Sequence, residues 1–328
     1  MTSNYVGIDV AKDTLAVAFK DAKGQNEVIT YTNDKKGINK LKKRLEASTF
    51  CTMESTGVYS QNVAISLHES GYQVAVVNPL QIKRYSQTKL NRAKTDKADA
   101  LMIAEFGERM KPRLYEPPQP FLRELQQQRI CVRQLKKTIK QHGQQLHCLE
   151  QLNTVNKIAL KITKDIIVYC ETQLKKVEQE METLMQNHSK ALYDQLQSIP
   201  GISKKSATEL IIISGSFKQF DNAKQFSAYI GANPSVHESG SSIRGSKGIS
   251  RIGNTATRSM LYMCSLTACR NNKECKILYD RLVQAGKPKK VALIAVVNKL
   301  IKQIFGLLRT DTHYQKDYDP KIKYKNPS

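Results

Sequence analysis

The chain has no tryptophan, 7% aromatic residues and no C-x-x-C pair among its seven cysteines. An odd number of dispersed thiols fits a reducing cytoplasm better than a disulfide framework or a zinc site, and the cysteines read as packing residues. No apolar run approaches the ~18 residues that a membrane span needs, and nothing at the N-terminus reads as a signal peptide. A helix lying on a membrane surface would need an aromatic-bearing apolar face, for which a chain without tryptophan is poorly equipped. A soluble cytoplasmic protein with no membrane partner is expected. Acid is scarce too: 29 Asp plus Glu stand against 52 Lys plus Arg, a net charge of +23. That excess is far beyond what solubility needs and points to a polyanion. At 328 residues the chain suggests two or three domains.

The scarce acids are not scattered evenly. Lys94 to Ala100 reads KTDKADA, with the Thr95 hydroxyl suited to cap a helix running to about Met110. Asp96 and Asp99, three apart, lie side by side on that helix. Two adjacent carboxylates stay ionised only in open water or beside a cation, and a divalent metal held by hard oxygens is one such cation. Alone, the pair reads equally as a solvated acidic turn favoured by the helix dipole. Upstream, Tyr5 to Val10 is an apolar strand carrying Asp9, followed by an alternating run from Thr14 to Phe19, which together read as a hairpin. Phe50 to Met53 is a further strand that ends at Glu54, before a helix from about Ser60 to Ser70. An acid in an apolar strand is a functional candidate, or else a partner for Lys12 or Lys94. Glu27 to Tyr31 and Tyr72 to Val77 add strands, and Asn33 or Asp34 caps a helix with Ile38, Leu41 and Leu45 on its apolar side. Lys83, Arg84, Lys89, Arg92 and Lys94 lead into the acidic pair, as a phosphate-binding run or a solvated face.

Pro112, Pro117, Pro118 and Pro120 end this first region, taken as residues 1–111. Beyond them Leu125, Val132, Ile139 and Leu146 recur every seven residues, and Cys170, Leu174, Val177, Met181 and Leu184 make a second seam. This spacing predicts central coiled-coil helices over 121–190, either a spacer or a dimerisation arm, with pairing to a second chain favoured over self-pairing. Ser198-Ile199-Pro200-Gly201-Ile202 introduces a helix from about Ser203 to Ile213, like the turn of a helix-hairpin-helix element whose free N–H groups could hold a phosphate. Phe217 to Ile230 reads as one more helix. Gly231 to Gly248, GANPSVHESGSSIRGSKG, reads as a loop, with Arg244, Lys247 and then Arg251 available to a phosphate, or as plain flexible surface. Helices near Asn254 to Cys269 and Lys290 to Leu308 bury a mainly helical region over 196–310, and a frayed basic tail occupies 311–328.

The strings GIDVAKD, MESTGVY and TDKADA, in this order, resemble the DEDD transposases of bacterial insertion sequences, the one-hundred-and-ten family. The resemblance implies an α/β ribonuclease-H-like (RuvC-like) domain in which Asp9, Glu54, Asp96 and Asp99 hold magnesium for phosphodiester chemistry. It also implies a C-terminal transposase domain whose Gly-x-x-Pro and Ser-Gly stretches fall on Gly231, Pro234 and Ser239-Gly240, making Ser239 the nucleophile, with Ser241 and Ser242 close by. The implied reaction is excision and insertion of the element by serine-mediated cleavage of donor and target DNA. The implied partners are a bridge RNA that pairs with both DNAs and further copies of the chain, as a dimer or tetramer. The site of action would be the bacterial cytoplasm, at the nucleoid. A metal-dependent junction resolvase using water, and a non-enzymatic nucleic-acid scaffold, are the competing functions.

Overall fold

The computed structural model describes residues 5–20, 26–89, 95–239, 243–249 and 252–316. The fold is mixed α/β, a five-stranded sheet in a chain that is otherwise mostly helical. It divides into two compact units, Met1–Pro118 and Gln119–Ser328.

In the first unit, β1 (Tyr5–Val10), β2 (Thr14–Lys20) and β3 (Asn26–Thr32) form an antiparallel meander, and α1 (Lys35–Lys42) leads to β4 (Phe50–Glu54). Helix α2 (Val58–Glu69) crosses to β5 (Gln73–Val77), and α3 (Pro79–Thr88) and α4 (Asp96–Met110) complete the unit. The strand order is β3-β2-β1-β4-β5, with β4 parallel to both β1 and β5. This is the sheet expected of a ribonuclease-H-like domain. The alternation within each strand sorts the two faces. Val6, Ile8, Val10, Leu15, Val17, Cys51, Met53 and Val74 join Ile38, Leu41, Val63 and Leu67 in one core with α1 and α2. The opposite face is lined by small residues, Ala16, Ala18, Gly7, Thr52 and Ala75, and α4 lies across it. Helix α3, which basic composition had obscured, packs on α4 through Ile82 and an edge-on Tyr85–Phe106 contact.

The second unit opens with two long helices, α5 (Pro120–Glu150) and α6 (Lys157–Gln197), the latter interrupted at Ser189. The two helices pack along each other within one chain; of the predicted seam residues Leu125, Cys170 and Met181 are buried, and Val132, Ile139, Leu146, Leu174, Val177 and Leu184 are half-buried. The base of this pair shares a core with α7 (Lys204–Ser214), α8 (Ala223–Ile230), α9 (Thr255–Asn271) and α11 (Lys289–Thr310), while α10 (Lys273–Gln284) packs on α9 and α11. Helix α8 is shorter than expected. Ser216 and Phe217 have left-handed backbones (φ 59° and 62°), and Asn222 caps the helix afresh, so the turn before it cannot be helical. Helix α11 is, among the described residues, the one helix long and apolar enough to cross a membrane. Its Ala292, Leu293, Val296, Val297, Leu300, Ile301 and Ile304 are instead buried in the core.

Two more expectations are corrected. The segment after Gly231 is not a loop: β6 (Pro234–Ser239) and β7 (Ile243–Ile249) pair as an antiparallel hairpin. Ladder hydrogen bonds need only the backbone, which Gly-Ser composition does not remove. The start of the tail is docked and not frayed: Gln195 Nε2 donates to the carbonyls of Leu307 and Thr312, and the Tyr314 N–H donates to Ser198 Oγ at 2.9 Å. Of the cysteines, Cys51, Cys170, Cys264 and Cys275 are packing residues as expected, but Cys131 and Cys148 are exposed.

Candidate functional site

Asp9 projects from the α4 face of β1, on the same side as Gly7. The parallel register pairs Gly7 with Thr52 and Ile8 with Met53, so one step further along the ladder Asp9 stands level with Glu54, the last residue of β4. Helix α4 brings the other two acids. Thr95 Oγ1 accepts from the Ala98 N–H at 3.2 Å, which caps the helix and sets Asp96 and Asp99 in its first turn, where the helix dipole favours negative charge.

Asp9 feels the other three carboxylates. The Asp9 carboxyl is raised to about 6, first by burial and then by the charges of Asp99, Asp96 and Glu54 in turn. Lys12 is not among the groups that act on Asp9, and Lys94 lies outside the described residues. Among the described residues no three Asp, Glu, His or Cys side chains converge closely enough to enclose an ion. By donor chemistry the four acids nonetheless fit a divalent cation: ionised, they are hard, acceptor-only oxygens on two strands and one helix.

One supporting residue had no signal in the sequence beyond its possible capping role. The cap of α1 is Asp34, which accepts from the Gly37 N–H at 2.7 Å. Asn33 does something else. Its Nδ2 donates to Ala11 O at 2.8 Å and to Tyr59 O at 3.4 Å, and its N–H donates to Asp13 O. It ties the turn that follows Asp9 to the first turn of the helix that follows Glu54. The Thr56 N–H donates to Ser60 Oγ, and Gly57 takes φ 69°, which lets the chain leave Glu54 and enter α2 abruptly.

Of the basic run, Lys83 and Arg84 are exposed on α3, Lys89 is paired with Glu105, and Arg92 lies outside the described residues. The Ser198–Ile202 turn carries φ +112° at Gly201, and the lysines at the start of α7 are engaged, Lys204 with Glu182 and Lys205 with Glu178.

In the second unit Ser239 ends β6, its backbone opposite Ile243, and Arg244 lies opposite Glu238. Lys247 is on β7; Gly240, Ser241, Ser242 and Arg251 lie outside the described residues. The hairpin is rooted by residues that the sequence did not single out. Arg258 Nη1 donates to Ile230 O and Gly231 O at 3.1 and 3.2 Å, and Asn298 Nδ2 donates to Ala232 O. Gly231 and Gly253, both at positive φ, close the root backbone to backbone: a Cβ on Gly253 would stand 2.6 Å from Gly231 N. No periodicity marks such long-range anchors.

Comparison with known proteins follows the same division. Residues 6–154 match a family profile described as transposase (DEDD_Tnp_IS110), and residues 193–280 match one described as transposase IS116/IS110/IS902 family. The pilin gene-inverting protein of Moraxella bovis is 29% identical over 96% of this chain and 99% of its own length, and that of Moraxella lacunata is 28% identical over the same shares. The transposase for insertion sequence element IS1111A of Coxiella burnetii is 30% identical over 37% of this chain and 34% of its own.

Proposed function

The chain belongs to the IS110 family of transposases and is an enzyme acting on DNA, and from that premise we propose that it is a magnesium-dependent serine recombinase. The observation that carries this reading is the gathering of Asp9, Glu54, Asp96 and Asp99 in one place, where burial first, and then the charges of the other three acids, raise Asp9 to about 6. Such a cluster is costly unless a cation or a proton relieves it. These four residues would hold the ion, and when bound it polarises the scissile phosphate and eases departure of the leaving oxygen.

Ser239 is the nucleophile in this proposal. Its Oγ bonds to the DNA phosphorus while the bridging P–O bond to the departing deoxyribose breaks. The serine proton is given up and the leaving oxygen gains one, so the step is balanced and the phosphodiester energy is stored as phosphoserine. A hydroxyl end of a second strand then attacks the same phosphorus and releases the serine, joining the strands without an external energy source. Excision, insertion and inversion are this one exchange performed on differently arranged sites, which accommodates the name of the Moraxella relatives.

The positive excess of the chain, with Lys83, Arg84, Arg244, Lys247, Arg92, Lys94 and Arg251 available to phosphates, suits a protein that grips backbone. Sequence would be read by a bridge RNA pairing with donor and target DNA. The α5–α6 arm supports assembly as a dimer or tetramer: its seams are used internally, yet Ile158, Ile162, Val168 and Tyr169 on the arm are 53–71% exposed, and a second copy would cover them. The decisive experiment is to incubate the protein with its element's DNA ends and Mg2+, then digest and look for a phosphoserine-linked DNA adduct at residue 239. Cleavage without any adduct would support hydrolysis by water instead.

A further inference from the structure

We infer that Gly7 and Gly107 are positioning residues that set the distance between the carboxylates of the sheet and those of α4; the inference rests on the metal-site reading above. Asp9 and Glu54 are fixed to neighbouring strands, but Asp96 and Asp99 ride on a helix whose height above the sheet is free to vary with what lies beneath it. Two glycines leave that space empty. A Cβ on Gly7 would fall inside the van der Waals envelopes of Ala100 O and Ala104 N and stand 2.8 Å from Ala104 Cα, all of them backbone atoms of α4. A Cβ on Gly107 would overlap Thr52 Oγ1 and stand 3.0 Å from Thr52 Cβ.

Both contacts bear on one level of the sheet, because Gly7 and Thr52 are register partners on β1 and β4. Ala18, the partner of Gly7 on β2, and Ala75, the partner of Thr52 on β5, continue that level, and both are fully buried. Asp9 and Glu54 lie two residues further along the same two strands and on the same face. Helix α4 thus rests on the level just below the acids, with Ala100 over Gly7 and Asp99 one residue earlier on the helix. Neither glycine on these contacts has a positive φ, so backbone conformation does not demand glycine there; close approach does. A methyl at either position lifts the helix or tilts it, and interiors transmit such displacement because they are close-packed.

The test measures Mn2+ binding to the metal-free, full-length protein by electron paramagnetic resonance, alongside melting temperature. Gly107→Ala is expected to weaken Mn2+ at least tenfold. Gly107→Ala/Thr52→Ala, which removes the overlapping hydroxyl, is expected to recover to within about threefold of the unmutated chain. Leu41→Ala, a cavity in the core on the other face, should lower the melting temperature and leave Mn2+ affinity unchanged. If Gly107→Ala does not fold, Ala18→Val, which adds bulk beneath the same helix, takes its place with the same expected loss. Full Mn2+ affinity in the folded single variant, or no recovery in the folded double variant, overturns the inference. Failure of the metal-site reading looks different: the unmutated protein would then bind no Mn2+, or Asp9→Asn would bind it as well.

Discussion

Asp99 on α4 is the charged neighbour that acts most strongly on Asp9 of β1, so the first strand and the fourth helix of the first unit meet at a pair of like charges. Burial is the larger cause of the raised Asp9 carboxyl, and Asp96 and Glu54 add to it. A fold that assembles such a pair spends stability on it, and the expenditure is visible as a dependence on pH and on cations.

For Asp9 the folded value, about 6, lies above the ordinary 3.8. Between those limits the folded state holds the proton more tightly than the unfolded chain, so stability falls as pH rises through this window, and the penalty is fully present above it. In metal-free protein Asp9→Asn should therefore raise the melting temperature at pH 7.5, with the advantage shrinking as pH falls from about 6 towards 4. Mg2+ should raise the melting temperature of the unmutated chain and scarcely move that of Asp9→Asn. Strand exchange should be abolished in Asp9→Asn and Asp99→Asn, while DNA affinity is equal or higher because a repulsive charge has gone. Thermal scans across pH with and without Mg2+, together with filter binding, check all of this. Parallel loss of fold and DNA binding would contradict it.

A stability prediction concerns the second unit. Arg129 on α5 reaches Glu209 on α7 through two hydrogen bonds, Nε to Oε2 at 2.6 Å and Nη2 to Oε1 at 2.5 Å, with both side chains about 20% exposed. Arg133 adds a longer bond from an exposed position. Glu209→Gln should cost about 1–3 kcal/mol, because a planar charge-assisted fork is broken in a partly desolvated place. Arg133→Ala should cost roughly 0–1 kcal/mol. Urea unfolding of the two variants gives the comparison, and equal losses would show that the fork has no special standing.

Much of the fold was legible because its signals are local. The apolar strand around Ile8, the alternation around Val17, the cap at Thr95 and the helix starts near Ser203 and Asn254 each depend on a few adjacent residues, and each falls as expected. The acids were legible as well, since carboxylates stand out in apolar strands. What escaped is long-range or purely backbone. The Asn33 bridge spans 22 residues to Ala11 and 26 to Tyr59, and Arg258 anchors a carbonyl 28 residues away. The β6–β7 pairing uses groups common to every residue, so a Gly-Ser sequence concealed it. Nothing in the sequence marks Gly7 and Gly107 as the places where α4 and Thr52 occupy the space a side chain would take.

Nucleic-acid binding should weaken steeply with salt. Each phosphate neutralised on duplex DNA contributes a slope of about −0.9 in log affinity against log salt. Lys83→Ala and Arg84→Ala, both exposed on α3, should each flatten the slope by about one contact, whereas Lys89→Ala should change it less, since Lys89 is paired with Glu105. Fluorescence anisotropy over a range of KCl concentrations decides it, and an affinity indifferent to salt would remove the basic-surface argument.

Assembly should depend on the exposed apolar part of the α5–α6 arm. Ile158 and Ile162 follow one another at helical spacing on α6, and Tyr169 continues the same side. Ile158→Glu/Ile162→Glu should shift the protein towards monomer in sedimentation velocity with little change in melting temperature, because these side chains contribute little to the intramolecular core. An unchanged oligomer would move the interface elsewhere.

The sharpest prediction separates recombination from hydrolysis. Ser239→Ala should eliminate both the covalent adduct and all strand exchange, yet preserve fold, Mg2+ binding and assembly on nucleic acid. Ser239 ends β6 opposite Ile243, and its part in the ladder is made by backbone groups that alanine retains. The root of the hairpin depends on Arg258, Asn298, Gly231 and Gly253, none of which the substitution touches. With the four acids intact, water could still be activated, so slow nicking is expected to survive in the variant. Ser241→Ala and Ser242→Ala should be milder, weakening phosphate contact and sparing the covalent step. Mass spectrometry of the digested adduct reads the result directly. An adduct lost in Ser241→Ala and kept in Ser239→Ala would transfer the nucleophile by two residues and leave the mechanism standing. Efficient cleavage by the unmutated chain with no adduct at any serine would end it, and the acids alone would then carry a hydrolytic reaction.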